Sequence, residues 1–193
     1  MANLHKIAIF ASGSGTNAEN FMHYFKDHPQ ISVSLVLTNN PDAGVIQKME
    51  KLNIPVVIFN KEDFYRSDFV LNTLSKYQIS FVVLAGFLWK IPSNLIIQFQ
   101  NRIVNIHPAL LPKFGGKGMF GHFVHEAVLA AGEQKTGISI HYVNENYDEG
   151  AVIFQKSVDI DPNSDTADLV AQKVHLLEYE FFPKIVEQLL INY

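Results

Sequence analysis

Short apolar runs of strand length recur along the first half of this chain, and the stretches between them are long enough for helices. Residues 7–11, 33–37, 56–59 and 80–85 are nearly continuous in apolar side chains. A strand wetted on one face alternates apolar with polar residues. A run without alternation must be covered on both faces, as in a parallel sheet flanked by helices. Helical patterns fill the gaps: residues 18–25; a segment led in by Asp42-Ala43-Gly44 and running through Leu52; 61–77, with Phe64, Phe69, Leu71 and Leu74 as its apolar stripe; and 92–99, opened by Pro92. The rhythm predicts an α/β, doubly wound, mostly parallel sheet flanked by helices, with the 80–85 run central.

The second half changes character. A loop over 113–121 carries Gly115, Gly116, Gly118 and Gly121, and a helix is expected over 122–131. Strands over 137–143 and 151–158 read as a C-terminal antiparallel extension, followed by a closing helix over 166–190. Asp165-Thr166 resembles that helix's N-cap, and Pro183 is expected to kink or split it. With 193 residues, the simplest organisation is one domain over 1–193.

A net charge of −4 without a basic run argues against a nucleic-acid partner. The absence of cysteine removes disulfides, thiolate nucleophiles and cysteine-ligated zinc. No apolar run approaches a membrane span and the N-terminus has no signal-peptide core, so a cytoplasmic location is expected and no membrane partner. Small-molecule substrates remain; monomer and homodimer are both open.

The segment Arg102-Ile103-Val104-Asn105-Ile106-His107-Pro108 concentrates the polar chemistry. Asn105 and His107 alternate with Ile106, so they emerge on one side of an extended strand that Pro108 terminates. Open α/β sheets place their ligands at such carboxyl ends. The first strand ends in Ser12-Gly13-Ser14-Gly15-Thr16-Asn17-Ala18 and leads into a helix, an arrangement suited to phosphate. It also fits a dinucleotide fingerprint, but the second strand ends in Thr38-Asn39-Asn40 with no acid for a ribose diol, which favours a monophosphate. After the central strand, residues 86–91 could line a pocket for a flat ring. The loop 144–150 carries Glu145, Asp148 and Glu149, of which Asp148 sits at a turn able to aim its carboxylate back at the sheet.

His122 and His125 lie three apart on a helix but lack the ligand spacing of a zinc site, so no metal is expected. No G-x-S-x-G elbow follows a strand. An amide, an imidazole and a carboxylate without a nucleophile suit acyl transfer to an amine. Asn105 and His107 would stabilise the oxyanion as paired donors. Asp148 would raise the pKa of His107, holding it protonated near neutrality, and would receive the amine's proton.

Asn105-Ile106-His107-Pro108 followed by Ala109-Leu110-Leu111-Pro112 resembles the signature of the folate-dependent formyltransferases. The turn at 12–17, Leu84-Ala85-Gly86-Phe87 and Tyr147-Asp148-Glu149-Gly150 match in the same order, and the chain is most similar to the branch that formylates glycinamide ribonucleotide in purine synthesis. That resemblance implies 10-formyltetrahydrofolate as co-substrate and Asn105, His107 and Asp148 as the catalytic trio. It implies that Gly15, Thr16 and Asn17 hold the ribonucleotide phosphate, with His175, Leu176, Leu177 and Glu178 completing that site. Arg66, Leu88, Trp89, Lys90 and Ile91, with Asn144, Glu145, Asn146, Tyr147 and Asp148, would form the folate pocket, which Asn105 also borders. His141 fits the family pattern, with a structural role equally open. The chain departs from that pattern in its longer, glycine-rich loop over 114–124 and in Trp89-Lys90, where a basic and then an aliphatic residue are usual.

Related readings are a methionyl-tRNA formyltransferase, which normally carries a further C-terminal nucleic-acid-binding domain, and a formyltetrahydrofolate hydrolase, which normally carries an extra N-terminal regulatory domain. A sheet starting at Lys6 and the absence of a basic surface favour the ribonucleotide acceptor. A non-catalytic nucleotide-binding module is the reading from a different class.

Overall fold

Side chains with no use for water on either face fix the sheet. The computed structural model describes residues 4–191; of the expected span, residues 1–3 and 192–193 lie outside the described residues. In chain order the elements are β1 (His5–Phe10), α1 (Thr16–Phe25), β2 (Ile31–Thr38), α2 (Gly44–Lys51), β3 (Val56–Ile58), α3 (Lys61–Tyr65) and α4 (Phe69–Lys76). There follow β4 (Phe81–Leu84), α5 (Ser93–Gln98), β5 (Ile103–His107), α6 (His122–Ala130), β6 (Lys135–Tyr142), β7 (Val152–Asp159) and α7 (Ala167–Ile191). They build a seven-stranded sheet in the order β3-β2-β1-β4-β5-β6-β7. Strands β1 to β5 pair in parallel, and β6 and β7 extend the sheet antiparallel, as the sequence pattern predicts.

Side chains of β1 alternate between two faces that are both buried, as an unbroken apolar run requires. Ile7 and Ile9 join the core on one face, with Phe21 and Phe182. Ala8 and Phe10 join the other, with Leu35, Phe64 and Leu84. From β1 the chain winds outward to β2 and β3, then crosses back to β4 and β5 on the other side. The carboxyl ends of β1 and β4 therefore part at a topological switch point, which opens a crevice. Their tips stay linked by the Ser12 N–H, which donates to the Gly86 carbonyl at 3.0 Å.

Two expectations need correction. The segment 61–77 is two helices, not one. Asn60 opens α3 through a capping box with Asp63. The Ser67 hydroxyl then donates to the Asp63 carbonyl at 3.1 Å and accepts the Phe69 N–H at 3.2 Å, diverting backbone groups that a continuous helix would use. The break changes the phase of the stripe: Phe64, Val70 and Leu74 are buried, whereas Phe69 is 41% exposed. The second concerns α7, which Pro183 does not split: it runs on as a single helix. Proline cannot donate to the Tyr179 carbonyl one turn back. Asn20 of α1 donates to it instead, at 2.9 Å. At the start of α7, Thr166 Oγ1 accepts the Leu169 N–H at 3.2 Å, while Asp165 is turned to Lys173.

The α1–α7 contact centres on Phe21, fully buried with its ring 5.0 Å from that of Phe182. Replacing Phe21 by Ala is expected to cost about 3–5 kcal/mol and to lower Tm by about 10 °C, read by calorimetry. A shift of only a degree or two would mean that this contact does not hold α7 to the sheet.

Candidate active site

Pairing register brings the polar groups together before any side-chain contact is considered. On β5, Asn105 lies opposite His141 of β6, and His107 lies opposite Ser139. Cross-strand partners share a face, so Asn105, His107 and His141 all project to the same side. Asp148 reaches this face from the loop between β6 and β7. It takes φ +56°, a conformation aspartate tolerates better than most residues. The turn aims its carboxylate back at the sheet, as the sequence predicts.

The carboxylate is the hub of the cluster. Asp148 Oδ2 accepts the Gly116 N–H at 2.9 Å and lies 3.6 Å from His107 Nδ1. Its Oδ1 lies 3.6 Å from His141 Nε2 and accepts from Asn105 Nδ2 at 3.5 Å. The His107 Nε2–H donates to the Phe114 carbonyl at 2.7 Å, which leaves Nδ1 as the nitrogen facing the carboxylate. His141 donates Nδ1–H to the Tyr142 carbonyl at 2.8 Å, so its Nε2 accepts from Asn105 Nδ2 at 3.1 Å.

Electrostatics correct one expectation. Burial, the largest influence on His107, pushes its pKa below the usual imidazole value; the neighbouring Asp148 carboxylate raises it but does not prevail. The free protein therefore holds His107 neutral at pH 7, not protonated as the sequence reading expects. Burial also opposes ionisation of Asp148. There the His141 and His107 imidazoles and the Gly116 N–H win, holding its carboxyl below the ordinary range.

A cavity of about 650 Å³ opens above this cluster, at the switch point between β1 and β4. One end is the turn over residues 13–17. Gly15, at φ +74°, caps α1 without a side-chain hydrogen bond, so the first amides of the helix stay available to an anion. A Cβ on Gly15 would lie 2.5 Å from Val45 of α2, so only glycine allows this close approach. From α7, His175 and Glu178 also line the cavity. Glu178 Oε2 accepts from Asn17 Nδ2 at 2.9 Å and meets His175 Nδ1 at 2.8 Å. That contact raises the pKa of His175 against the effect of its partial burial.

Not every predicted residue reaches the cavity. Leu88, Tyr147 and Asp148 line it, whereas Arg66 is exposed and paired with Glu62 at 3.4 Å. Trp89 stacks on Tyr65 at 6.0 Å in an aromatic cluster, and Lys90 offers its carbonyl to the Tyr65 hydroxyl at 3.0 Å. Ile91 is core, Leu176 is 69% exposed, and Leu177 packs against the core. Asn144 accepts the Asn146 N–H at 2.9 Å within its own exposed turn, Asn146 Nδ2 donates to Glu149, and Glu145 is exposed.

The sequence reading missed other lining residues. Ala171 precedes His175 and Glu178 by one and two turns, a spacing that could have identified it. Lys117 and Met119 reach the cavity from the glycine-rich loop, which forms one wall. His125 of α6 also lines it, 3% exposed. Burial chiefly, then His175, holds the His125 pKa down to about 4, although Glu178 opposes the shift. Among the described residues no His or carboxylate group is arranged to hold a metal, and no helix is long and apolar enough to cross a membrane.

The chain is similar to known proteins in sequence and fold. Residues 5–186 match the family described as formyl transferase. The chloroplastic phosphoribosylglycinamide formyltransferase of Arabidopsis thaliana is 40% identical over 94% of this chain, and the chain spans 64% of that protein, less than two thirds of its length. Phosphoribosylglycinamide formyltransferase of Bacillus subtilis is 34% identical over 97% of this chain and 95% of its own. The structure of glycinamide ribonucleotide transformylase 1 from Geobacillus kaustophilus superimposes with a TM-score of 0.87 at 34% identity, covering 97% of this chain and all (100%) of its own.

The lowered imidazole pKa values have a consequence for stability. A buried histidine that resists protonation in the fold accepts it once unfolded, at about pH 6.5, so stability falls as pH drops below that value towards the folded pKa. For His125, with a folded value of about 4, the loss between pH 7 and 5 is about 2 kcal/mol. Lowered in the same direction, His107 adds to it; His175, raised, works against it. Urea unfolding of the His125→Asn variant is expected to lose correspondingly less stability over that range. A pH slope equal to wild type would contradict the assignment.

Proposed function

We propose, from the premise that this chain belongs to the formyl transferase family, that it transfers the formyl group of 10-formyltetrahydrofolate to the amine of glycinamide ribonucleotide in purine biosynthesis. One observation carries the reading: Asn105, His107 and Asp148 meet beside a cavity whose far end is the uncapped start of α1. A phosphorylated amine held at that end points its other end at the acyl-transfer cluster.

In this reading the amides of Gly15, Thr16 and Asn17 hold the phosphate, and Glu178, anchored by Asn17, faces the ribose hydroxyls. The apolar wall of residues 85–88, together with Tyr147, accommodates the flat ring of the folate. Formyl-folate supplies an activated formyl carbon. Attack by the amine nitrogen places negative charge on the formyl oxygen, and the Asn105 amide is the donor at hand. Its 3.5 Å bond to Asp148 is the weaker of its two, and the one an oxyanion can replace. The amine must lose a proton. Neutral His107 can take it at Nδ1, because Nε2 is committed to Phe114, and the Asp148 carboxylate stabilises the imidazolium that results. When the bond from the formyl carbon to the folate nitrogen breaks, the same Nδ1 returns the proton to that nitrogen. His141 keeps the Asn105 amide oriented throughout.

A cytoplasmic location belongs to this proposal as well, the plant relatives being chloroplastic by name.

An ultraviolet assay with formyl-folate and three acceptors, glycinamide ribonucleotide, initiator tRNA and water, is expected to show turnover with the first alone. His107→Ala and Asp148→Asn are each expected to lower kcat by about 10²–10³-fold while ribonucleotide binding persists. Turnover with tRNA or water would reassign the acceptor. Wild-type rates in both variants would leave a nucleotide-binding module as the better reading.

A further inference from the structure

Two polar atoms in the wall of the cavity have nothing to bond to. Asn17 Oδ1 and His125 Nδ1 are buried and without a hydrogen-bond partner. Buried polar groups are paired in the great majority of cases, and an orphan costs about 1–3 kcal/mol. The orphaned oxygen of Asn17 belongs to an amide whose nitrogen already anchors Glu178. His125 is the more telling of the two, since a leucine or phenylalanine would fill its buried site on α6 at no such cost. Its neighbours also locate it. His125 lies within electrostatic reach of Glu178 and His175 towards the phosphate end, and of His107 towards the reacting end. His125 lines the same cavity as the start of α1 and His107.

Resting on the reading given above, we propose that His125 is a substrate-binding residue, whose imidazole hydrogen-bonds the ribosyl-glycinamide segment of the acceptor. Its neutral ring offers one N–H donor and one acceptor, which suits a sugar hydroxyl or an amide and adds no charge beside the phosphate. Formyl-folate, by contrast, is assigned in that reading to residues 85–88 and Tyr147, and is not expected to feel the substitution.

The test is titration calorimetry with glycinamide ribonucleotide, together with steady-state kinetics, on the full chain and on His125→Phe and His125→Asn. The phenylalanine variant is expected to weaken ribonucleotide binding about tenfold and to leave KM for formyl-folate within about twofold of wild type. Its Tm is expected to equal or exceed that of wild type at pH 7, because an unpaired polar atom has been removed. Asparagine, which keeps a donor and an acceptor, is expected to restore most of the affinity. Unchanged ribonucleotide binding in the phenylalanine variant, equal weakening of both substrates, or a failure of asparagine to recover affinity would each overturn the proposal. A wild-type protein that binds the ribonucleotide but transfers no formyl group would instead overturn the reaction, since the titration reads the contact without it. If wild type does not bind the ribonucleotide at all, both fall.

Discussion

The carboxylate of Asp148 ties β5, β6 and the glycine-rich loop together at one point. It faces His107 and Asn105 on β5, His141 on β6 and the Gly116 amide of the glycine-rich loop, all within 2.9–3.6 Å. A buried negative charge is tolerable only with such company: the Gly116 and Asn105 N–H groups offset part of the hydration it has lost, and the two imidazoles can take up positive charge beside it. The dependence also runs the other way. Without the carboxylate, His107 would be a buried imidazole with no group to balance a proton, and the loop at Gly116 would lose an anchor beside the cavity.

The sheet exists to hold that contact steady. β5 is covered on both faces by the two cores, and antiparallel pairing with β6 sets Asn105 against His141. A slip of one residue would turn His107 to the opposite face and break the cluster. The site is thus held by ladder hydrogen bonds and close packing. The network has a second consequence: with Nε2 given to the Phe114 carbonyl, His107 presents a single working nitrogen. A buried neutral imidazole beside a carboxylate is a proton acceptor whose charged form is already provided for.

The α7 helix shows how local rules can be overridden. Pro183 would weaken an isolated helix by removing one bond. Here α1 supplies Asn20 to the carbonyl left free, and the helix continues far enough to bring His175 and Glu178 to the cavity. Propensity along one element could not reveal this, because the compensating donor lies 159 residues away in sequence. The break between α3 and α4 is different in kind. Asn60, Asp63 and Ser67 are capping residues legible in the sequence, and they outweigh the longer apolar stripe.

Much of the architecture was settled by the order of residues alone. Unalternated apolar runs demanded a sheet covered on both faces, and the Asn-Ile-His-Pro alternation demanded two polar groups on one side of a strand end. Those are local or periodic properties, and a chain carries them wherever it goes. The sequence also matched the formyltransferase motifs in order, which pointed to the same Asp148 that its turn can aim back at the sheet. What only the tertiary structure decided was competition between distant groups. Burial against a carboxylate's attraction sets the charge of His107, and the fold leaves His125 unpartnered in the cavity wall while Arg66 and Trp89 stay out of it. Such outcomes depend on how much water each group loses, and that quantity exists only once the chain has closed around it.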